Sequence, residues 1–111
     1  MNKLWKCSIC GYIHQGESAP LSCPKCGASQ DKFHLLDEEA TKKIYTSDRT
    51  NDIHAELIAL SMKMAALCDE GITLNLDPAC VSLFRKAKDA SWVTKQSCKA
   101  ELAGHMTKGK F

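Results

Sequence analysis

Apolar residues in the second half of the chain recur with the spacing of an α-helix. They follow one another at intervals of four, three, four and three residues: Ile53, Leu57, Leu60, Met64 and Leu67. Such intervals place side chains on one helical face. Glycine often follows the last residue of a helix, so Gly71 is expected just beyond its end. The pattern therefore predicts one amphipathic helix.

A second helix is predicted after the dipeptide Asp77-Pro78. Aspartate is favoured as an N-cap, and proline is favoured at the first helical position. The helix should run from Pro78 to about Ala103, with Gly104 near its end. Because the connection is short, the two helices are expected to form an α-helical hairpin.

The residues that precede the first helix are polar and show no apolar periodicity. Residues 39–50 are predicted to be a linker, and Ser47 or Thr50 is the expected N-cap of the helix that follows. The predicted division is therefore a small metal domain at 1–38, a linker at 39–50, and a two-helix hairpin at 51–111 that serves docking or oligomerisation.

Four of the seven cysteines lie in the first 26 residues as C-x2-C-x12-C-x2-C, at Cys7, Cys10, Cys23 and Cys26. Glycine follows each pair, at Gly11 and Gly27, where it allows a tight turn that directs N–H groups at sulfur. A segment of about 35 residues buries too little apolar surface to fold alone. The spacing predicts a tetrahedral four-sulfur metal site, and by itself leaves zinc and iron open. Since four cysteines complete the ligand set, His14 is expected to lie outside it.

The residues around the cysteines carry a more specific pattern. It reads W-x-C-x-x-C-G-Y-x-x-x-G-x-x-x-P-x-x-C-P-x-C-G-A-x-x-x-x-F, from Trp5 to Phe33. This resembles the rubredoxin-like domain of rubrerythrins, over residues 3–36. The resemblance implies one mononuclear Fe(Cys)4 centre that alternates between Fe³⁺ and Fe²⁺. The residues expected around that centre are Trp5, Gly11, Tyr12, Gly27 and Phe33, with Ile13 in the same apolar shell.

The rubrerythrin family also has a di-iron site built from Glu residues and Glu-x-x-His pairs on four helices. The helical half of this chain has no Glu-x-x-His: Glu56 follows His54 by two residues, and His105 follows Glu101 by four. We therefore do not expect rubrerythrin-type peroxidase activity, which stays open only as a degenerate form of that enzyme.

Positive charge is concentrated in the last third of the chain. Residues 78–111 carry seven Lys or Arg against two Asp or Glu, whereas the whole chain has a net charge of +2. One stripe of the second helix combines a tryptophan with four cations: Arg85, Lys88, Trp92, Lys95 and Lys99. It is interpreted as a docking face for an acidic partner, with an ordinary solvated helix face as the alternative. Nucleic acid is not expected as a partner, because the chain is nearly neutral.

Another stripe of the second helix is expected to face a neighbouring helix, and its middle consists of small residues: Cys80, Phe84, Ala87, Ser91, Thr94, Cys98 and Leu102. Three cysteines lie outside the predicted metal site, and Cys68, Cys80 and Cys98 are interpreted as small buried residues.

The sequence as a whole predicts a rubredoxin-like β-knuckle domain followed by a helical hairpin. The predicted function is one-electron transfer through one iron per chain, without catalytic residues, either as a carrier or as a subunit of an oxidoreductase complex. A structural zinc-ribbon interaction module is the alternative. The expected partners are redox proteins, and the helices are expected to allow homo-oligomers. No secretory signal or apolar run of roughly 20 residues is visible, so a cytoplasmic protein without membrane contact is expected.

Overall fold

The computed structural model describes residues 1–111, which form two structural units, Met1–Tyr45 and Thr46–Phe111. The first unit contains a three-stranded antiparallel sheet: β1 (Leu4–Cys7), β2 (Ile13–Gln15) and β3 (Phe33–Leu35). The strand order is β2-β1-β3, so β1 lies in the centre. In the register of β1 with β3, Cys7 pairs with Phe33, which places a cysteine and an aromatic residue side by side.

The first helix, α1, extends over Glu38–Leu74 and therefore starts much earlier than the sequence suggests. The Asp37 carboxylate accepts a hydrogen bond from the Ala40 N–H at 2.8 Å, which is the geometry of a helix N-cap. Two acidic residues occupy the first turn, where they interact favourably with the helix dipole. The predicted linker at 39–50 is thus helical. It contains neither glycine nor proline, so nothing in it interrupts the helix.

The prediction that Ser47 or Thr50 caps α1 is wrong, because both lie inside the helix. The prediction for the other end of α1 is also wrong, since Gly71 is a buried helical residue. The helix ends instead before Asn75, which has a φ of 47° and whose N–H donates to the Gly71 carbonyl at 3.3 Å. Asparagine tolerates this left-handed conformation better than most residues, which explains why it can end the helix.

The second helix, α2, extends over Pro78–Thr107, and its predicted start is confirmed. The Asp77 side chain accepts a hydrogen bond from the Cys80 N–H at 2.8 Å. The helix passes through Gly104 and ends four residues later than predicted, before Gly109, whose φ is 72°. Neither helix contains a stretch that is apolar enough over a sufficient length to cross a membrane.

Where α1 and α2 lie against each other in the second unit, the buried residues are small. The buried positions are Ser47, Ser61, Cys68 and Gly71 on α1, and Ser91 and Cys98 on α2. Polar contacts add to this packing, since the Asn51 side chain donates to the Lys110 carbonyl at 2.7 Å. The predicted inner stripe of α2 is largely at this contact, except for Thr94, which is exposed.

The apolar stripe predicted on α1 does not lie between the helices. Its five side chains, from Ile53 to Leu67, are 39–67% exposed. Periodicity locates the apolar positions correctly, but the buried positions of α1 beside them are small residues, Ser61 and Cys68. The architecture otherwise confirms the predicted fold class, a small β-sheet domain with a cysteine cluster followed by a helical hairpin.

Candidate metal centre

Two nearly identical turns of the backbone carry the cysteine pairs. In the first turn, the Cys7 N–H donates to the Tyr12 carbonyl and the Gly11 N–H donates to the Cys7 carbonyl, at 2.8 and 2.9 Å. The second turn repeats both bonds at the same distances, from Cys23 to Ala28 and from Gly27 to Cys23. The two glycines have φ values of 82° and 78°, a conformation that other residues rarely adopt. The repeated Cys-x-x-Cys-Gly sequence thus folds as a repeated structure.

The two turns bring all four cysteine sulfurs together. The Sγ atoms of Cys7, Cys10, Cys23 and Cys26 lie within 4.8 Å of one another. Two sulfur pairs that join the turns are 3.7 Å apart, from Cys7 to Cys26, and 3.6 Å apart, from Cys10 to Cys23. A tetrahedral site with metal–sulfur bonds of about 2.3 Å has edges of about 3.8 Å. The residues therefore fit a four-coordinate metal ion, and they form a metal-binding cluster.

The backbone of each turn directs N–H groups at one buried sulfur. The N–H of Cys10 is the main cause that holds the pKa of Cys7 below its ordinary value, while burial acts against it. Burial raises the pKa of Cys23, but the N–H groups of Cys26 and Lys25, with the neighbouring sulfurs, outweigh burial and lower it to about 6. Both groups therefore favour the thiolate, which is the form that binds metal.

The pKa of Cys26 moves in the opposite direction. The Ala28 N–H lowers it, but burial and hydrogen bonds with the other three sulfurs raise it to about 12. Four sulfurs at these distances cannot all be negative without a compensating cation. A metal ion would supply that charge, so its binding would release the remaining protons.

The hydrophobic core of the first unit is built around the cysteine sulfurs. Cys7, Cys23 and Phe33 form its buried centre, and Trp5 and Tyr12 pack against them, together with Cys10, Ala19 and Ala28. The Trp5 indole N–H also donates to the Gly16 carbonyl at 3.1 Å, which fixes the ring. Ile13, predicted in the same shell, is half-buried and lies outside this cluster.

Sequence reasoning missed Leu4 and Ala19. Leu4 is buried at the start of β1, and Ala19 packs near the sulfurs, where the Gln30 side chain donates to its carbonyl at 2.8 Å. No alternation in β1 marks Leu4, because Leu4 and Lys6 lie on the same face of the strand and yet only Leu4 is buried. A lone alanine in a loop carries no signal either.

The two sides of the sulfur cluster differ in exposure. Cys7 and Cys23 are 1% and 3% exposed, whereas Cys10 is half-buried and Cys26 is exposed. The Tyr12 N–H donates to the Cys10 sulfur at 3.5 Å. One edge of the centre therefore reaches solvent, and the opposite edge is enclosed by aromatic side chains.

The histidines and carboxylates that were considered as ligands do not join this group. His14 lies in β2, opposite Trp5 of β1. In the hairpin, the rings of His54 and His105 lie edge to face with 6.1 Å between centroids, and His105 Nδ1 is hydrogen-bonded to the Asn51 side chain. The structure brings the four cysteines within reach of one metal ion.

The predicted basic docking stripe on α2 has a mixed environment. Lys88 pairs with Asp69 of α1 at 2.6 Å, and the Lys95 ammonium lies 4.8 Å from the centroid of the Trp92 ring. Arg85 and Lys99 are exposed. The Lys95 ammonium group thus lies over the Trp92 ring, and Lys88 has an ion-pair partner on α1.

Comparison with known proteins assigns the segment that contains the cysteines. Residues 5–34 match the family model for the rubredoxin-like domain of rubrerythrin. Over 37 residues the chain is 54% identical to reverse rubrerythrin-1 of Clostridium acetobutylicum, which covers 33% of this chain and 20% of that protein. It is 50% identical over 36 residues to rubrerythrin-1 of the same organism, which covers 32% of this chain and 18% of that protein.

A third relative is the rubrerythrin of Nitratidesulfovibrio vulgaris, at 47% identity over 32 residues, or 29% of this chain and 17% of that protein. The chain therefore spans about a fifth of the length of the curated relatives it matches. The matched segment contains all four clustered cysteines and the turns that hold them. Residues 5–34 are a metal-binding, rubredoxin-like domain of the rubrerythrin type.

Proposed function

We propose that the protein transfers single electrons through a mononuclear Fe(Cys)4 centre. The observation that carries this proposal is the set of four cysteine sulfurs, all within 4.8 Å of one another, inside a rubredoxin-like domain of the rubrerythrin type. Bound iron would alternate between Fe³⁺ and Fe²⁺, accepting one electron from a donor and passing one to an acceptor. Cys7, Cys10, Cys23 and Cys26 hold it as thiolates throughout.

The surroundings of the sulfurs suit a centre whose charge changes by one unit. Trp5, Tyr12 and Phe33 exclude water on the buried side, which limits solvent reorganisation when the charge changes. The backbone N–H groups that point at sulfur stabilise negative charge and so tune the reduction potential. Electron transfer through such a centre needs neither a proton transfer nor a covalent step by these residues.

The exposed edge gives electrons a short route between the centre and another protein. Cys26 is exposed, and two apolar side chains near the cysteine pairs are also exposed, Ile9 by 64% and Leu21 by 84%. A small apolar rim beside an exposed ligand suits a weak and brief encounter with a redox partner. We propose this edge as the place where electrons enter and leave.

The helical unit would then position the carrier on its partner. We propose that Arg85, Trp92 and Lys99 contribute to a docking surface for an acidic redox protein or for a larger oxidoreductase in the cytoplasm. Trp92 is 56% exposed, and tryptophan and arginine are the residue types that most often anchor interfaces. Lys88 and Lys95 contribute less, because each already has a partner within the hairpin.

Metal content and colour test the proposal. The protein would be produced in iron-replete cells and purified without oxygen, and its metals would be counted per chain. We expect one iron and a red oxidised form that loses its colour with dithionite. A colourless protein with one zinc would refute electron transfer and favour a zinc-ribbon interaction module, which the same four sulfurs can hold. About three irons per chain would instead favour a degenerate rubrerythrin-type peroxidase.

A matched pair of variants assigns the colour to the cluster. Cys10 and Cys80 are both half-buried cysteines, but only Cys10 lies in the sulfur cluster. Cys10→Ser should lose the visible absorption of the iron form or shift it, because a thiolate ligand is removed. Cys80→Ser should keep the absorption unchanged. Equal effects of both substitutions would contradict the assignment of the ligands.

A further inference from the structure

The helical unit buries few large apolar side chains. Its buried residues are cysteines, serines and one glycine: Ser47, Ser61, Cys68, Gly71, Ser91 and Cys98. A contact between two helices made of such residues brings the backbones close, but it removes little apolar area from water. A hairpin of this kind needs a further apolar contact to be stable.

Several exposed large apolar side chains lie together on one broad side of the hairpin. Leu57, Leu60 and Met64 of α1 line a groove of about 230 Å³ together with Ala90 and Thr94 of α2. The remaining residues of the α1 stripe and Leu83 of α2 extend this surface along the helices, by their helical spacing. We call this surface the apolar face. It consists of Ile53, Leu57, Leu60, Met64, Leu67, Leu83, Ala90 and Thr94.

The other broad side of the hairpin is charged. Lys88 and Asp69 form an ion pair from helix to helix at 2.6 Å, and Lys95 lies against Trp92. Arg85 and Lys99 are exposed on the same stripe of α2. Two copies of this side would bring like charges together, which disfavours self-association through it.

We propose that the apolar face binds the apolar face of a second copy of the chain, so that two hairpins form a four-helix bundle. Three observations favour a second copy as the occupant. The residues of the apolar face are uncharged, and Glu56 and Lys63, which flank it by helical spacing, carry opposite charges, so a two-fold axis through the face does not gather charges of one sign. Its large side chains lie on α1 and its small ones on α2 around the groove. A two-fold axis can therefore place Leu60 and Met64 of one copy against Ala90 and Thr94 of the other.

The third observation is the width of the apolar arc on α1. The inner contact of the hairpin and the apolar face lie side by side on this helix, from Ile58 and Ala65 through Ser61 and Cys68 to Leu57, Leu60 and Met64. The half of this arc that forms the inner contact is covered by α2, and the half that forms the apolar face is open. This is the width of apolar surface that a helix in a four-helix bundle presents to its core. The proposal concerns the helical unit and does not depend on which metal the cysteines bind.

Light scattering coupled to size-exclusion chromatography on the full chain, with its metal bound, tests the proposal. The wild type should have twice the mass of one 12.2 kDa chain. Leu60 and Trp92 provide a matched pair, because both are 56% exposed but lie on different sides of the hairpin. Leu60→Glu places a charge at the interface twice, and should weaken the dimer by at least about 100-fold. Trp92→Glu should leave the mass of the dimer unchanged.

A second measurement keeps the test decisive if Leu60→Glu loses its helical structure. The thermal unfolding midpoint of a wild-type dimer rises with protein concentration, whereas that of a monomer does not. A wild type that is monomeric, with a midpoint independent of concentration, would overturn the proposal and indicate that another protein covers the apolar face. A dimer that Trp92→Glu dissociates and Leu60→Glu leaves intact would overturn it as well. A red monomer would leave the proposed electron transfer standing.

Discussion

Two glycines in the hairpin should respond in opposite ways to replacement by alanine. Alanine is about 1 kcal/mol more favourable than glycine inside a helix, and Gly71 and Gly104 both lie inside helices. At Gly104, an added Cβ would have no atom within 4 Å outside its own helix. Gly104→Ala should therefore raise the free energy of unfolding, by up to about 1 kcal/mol.

At Gly71, an added Cβ would lie 2.5 Å from Cδ2 and Cε2 of Phe84, and 2.8 Å from its Cζ. The ring edge would have to move by about 1 Å to reach an ordinary carbon–carbon contact. Overpacking of this kind costs about 1–3 kcal/mol, which exceeds or cancels the gain in helix propensity. Gly71→Ala should lower the free energy of unfolding by up to about 2 kcal/mol.

Urea unfolding followed by circular dichroism at 222 nm measures both effects, because α1 and α2 contain 37 and 30 residues. All variants would be compared at one protein concentration, which keeps the concentration dependence of a dimer from adding to the difference between them. A smaller side chain, Phe84→Leu, should recover part of the loss in the Gly71→Ala background, and this coupling isolates the contact. If Gly71→Ala stabilises the protein as much as Gly104→Ala, the inference that Phe84 packs too closely on Gly71 to admit a Cβ atom is refuted.

Two further predictions concern the metal turns and the start of α2. Gly27 has a φ of 78° with open space around an added Cβ, so Gly27→Ala should strain the turn by about 1–2 kcal/mol and speed metal loss to a chelator. Gly109→Ala, with a φ of 72° in the other unit, should not change that rate. The Cys80 N–H lowers the pKa of Asp77, so the Asp77 cap stabilises the helix above about pH 4 and loses its effect as pH falls further. Asp77→Ala should lower the unfolding midpoint at pH 7, and a difference from wild type that stays constant down to pH 3 would contradict this reasoning.

The metal domain was predictable from the sequence because its core and its site consist of the same residues. Cys7 and Cys23 are both ligand candidates and buried core residues, and Phe33 packs directly on them. A short spacing motif therefore fixes the chemistry and the local fold together. The turns at Gly11 and Gly27 follow from the need for positive φ after each cysteine pair.

The helical unit was less predictable, since periodicity shows which positions are apolar but not which surface covers them. The stripe at Leu57, Leu60 and Met64 was identified correctly as one face of a helix, yet it lines an open groove. Ser61 and Cys68 are buried instead, and their small size gives them a weak signal in any hydropathy pattern. The early start of α1 was missed because Asp37 caps it ahead of a polar sequence, and polar residues without glycine or proline suit a helix as well as a linker.

The two units thus differ in what completes them. In the first unit, four sulfurs and a few aromatic side chains form nearly the whole core, so the free energy of metal binding is a large part of its folding free energy. In the second unit, the buried residues are small, and many large apolar side chains are exposed. Its missing apolar contact must come from another surface, which we infer to be a second copy. Removal of the metal should therefore act on the first unit, and dilution on the second, as long as each unit folds through its own contacts.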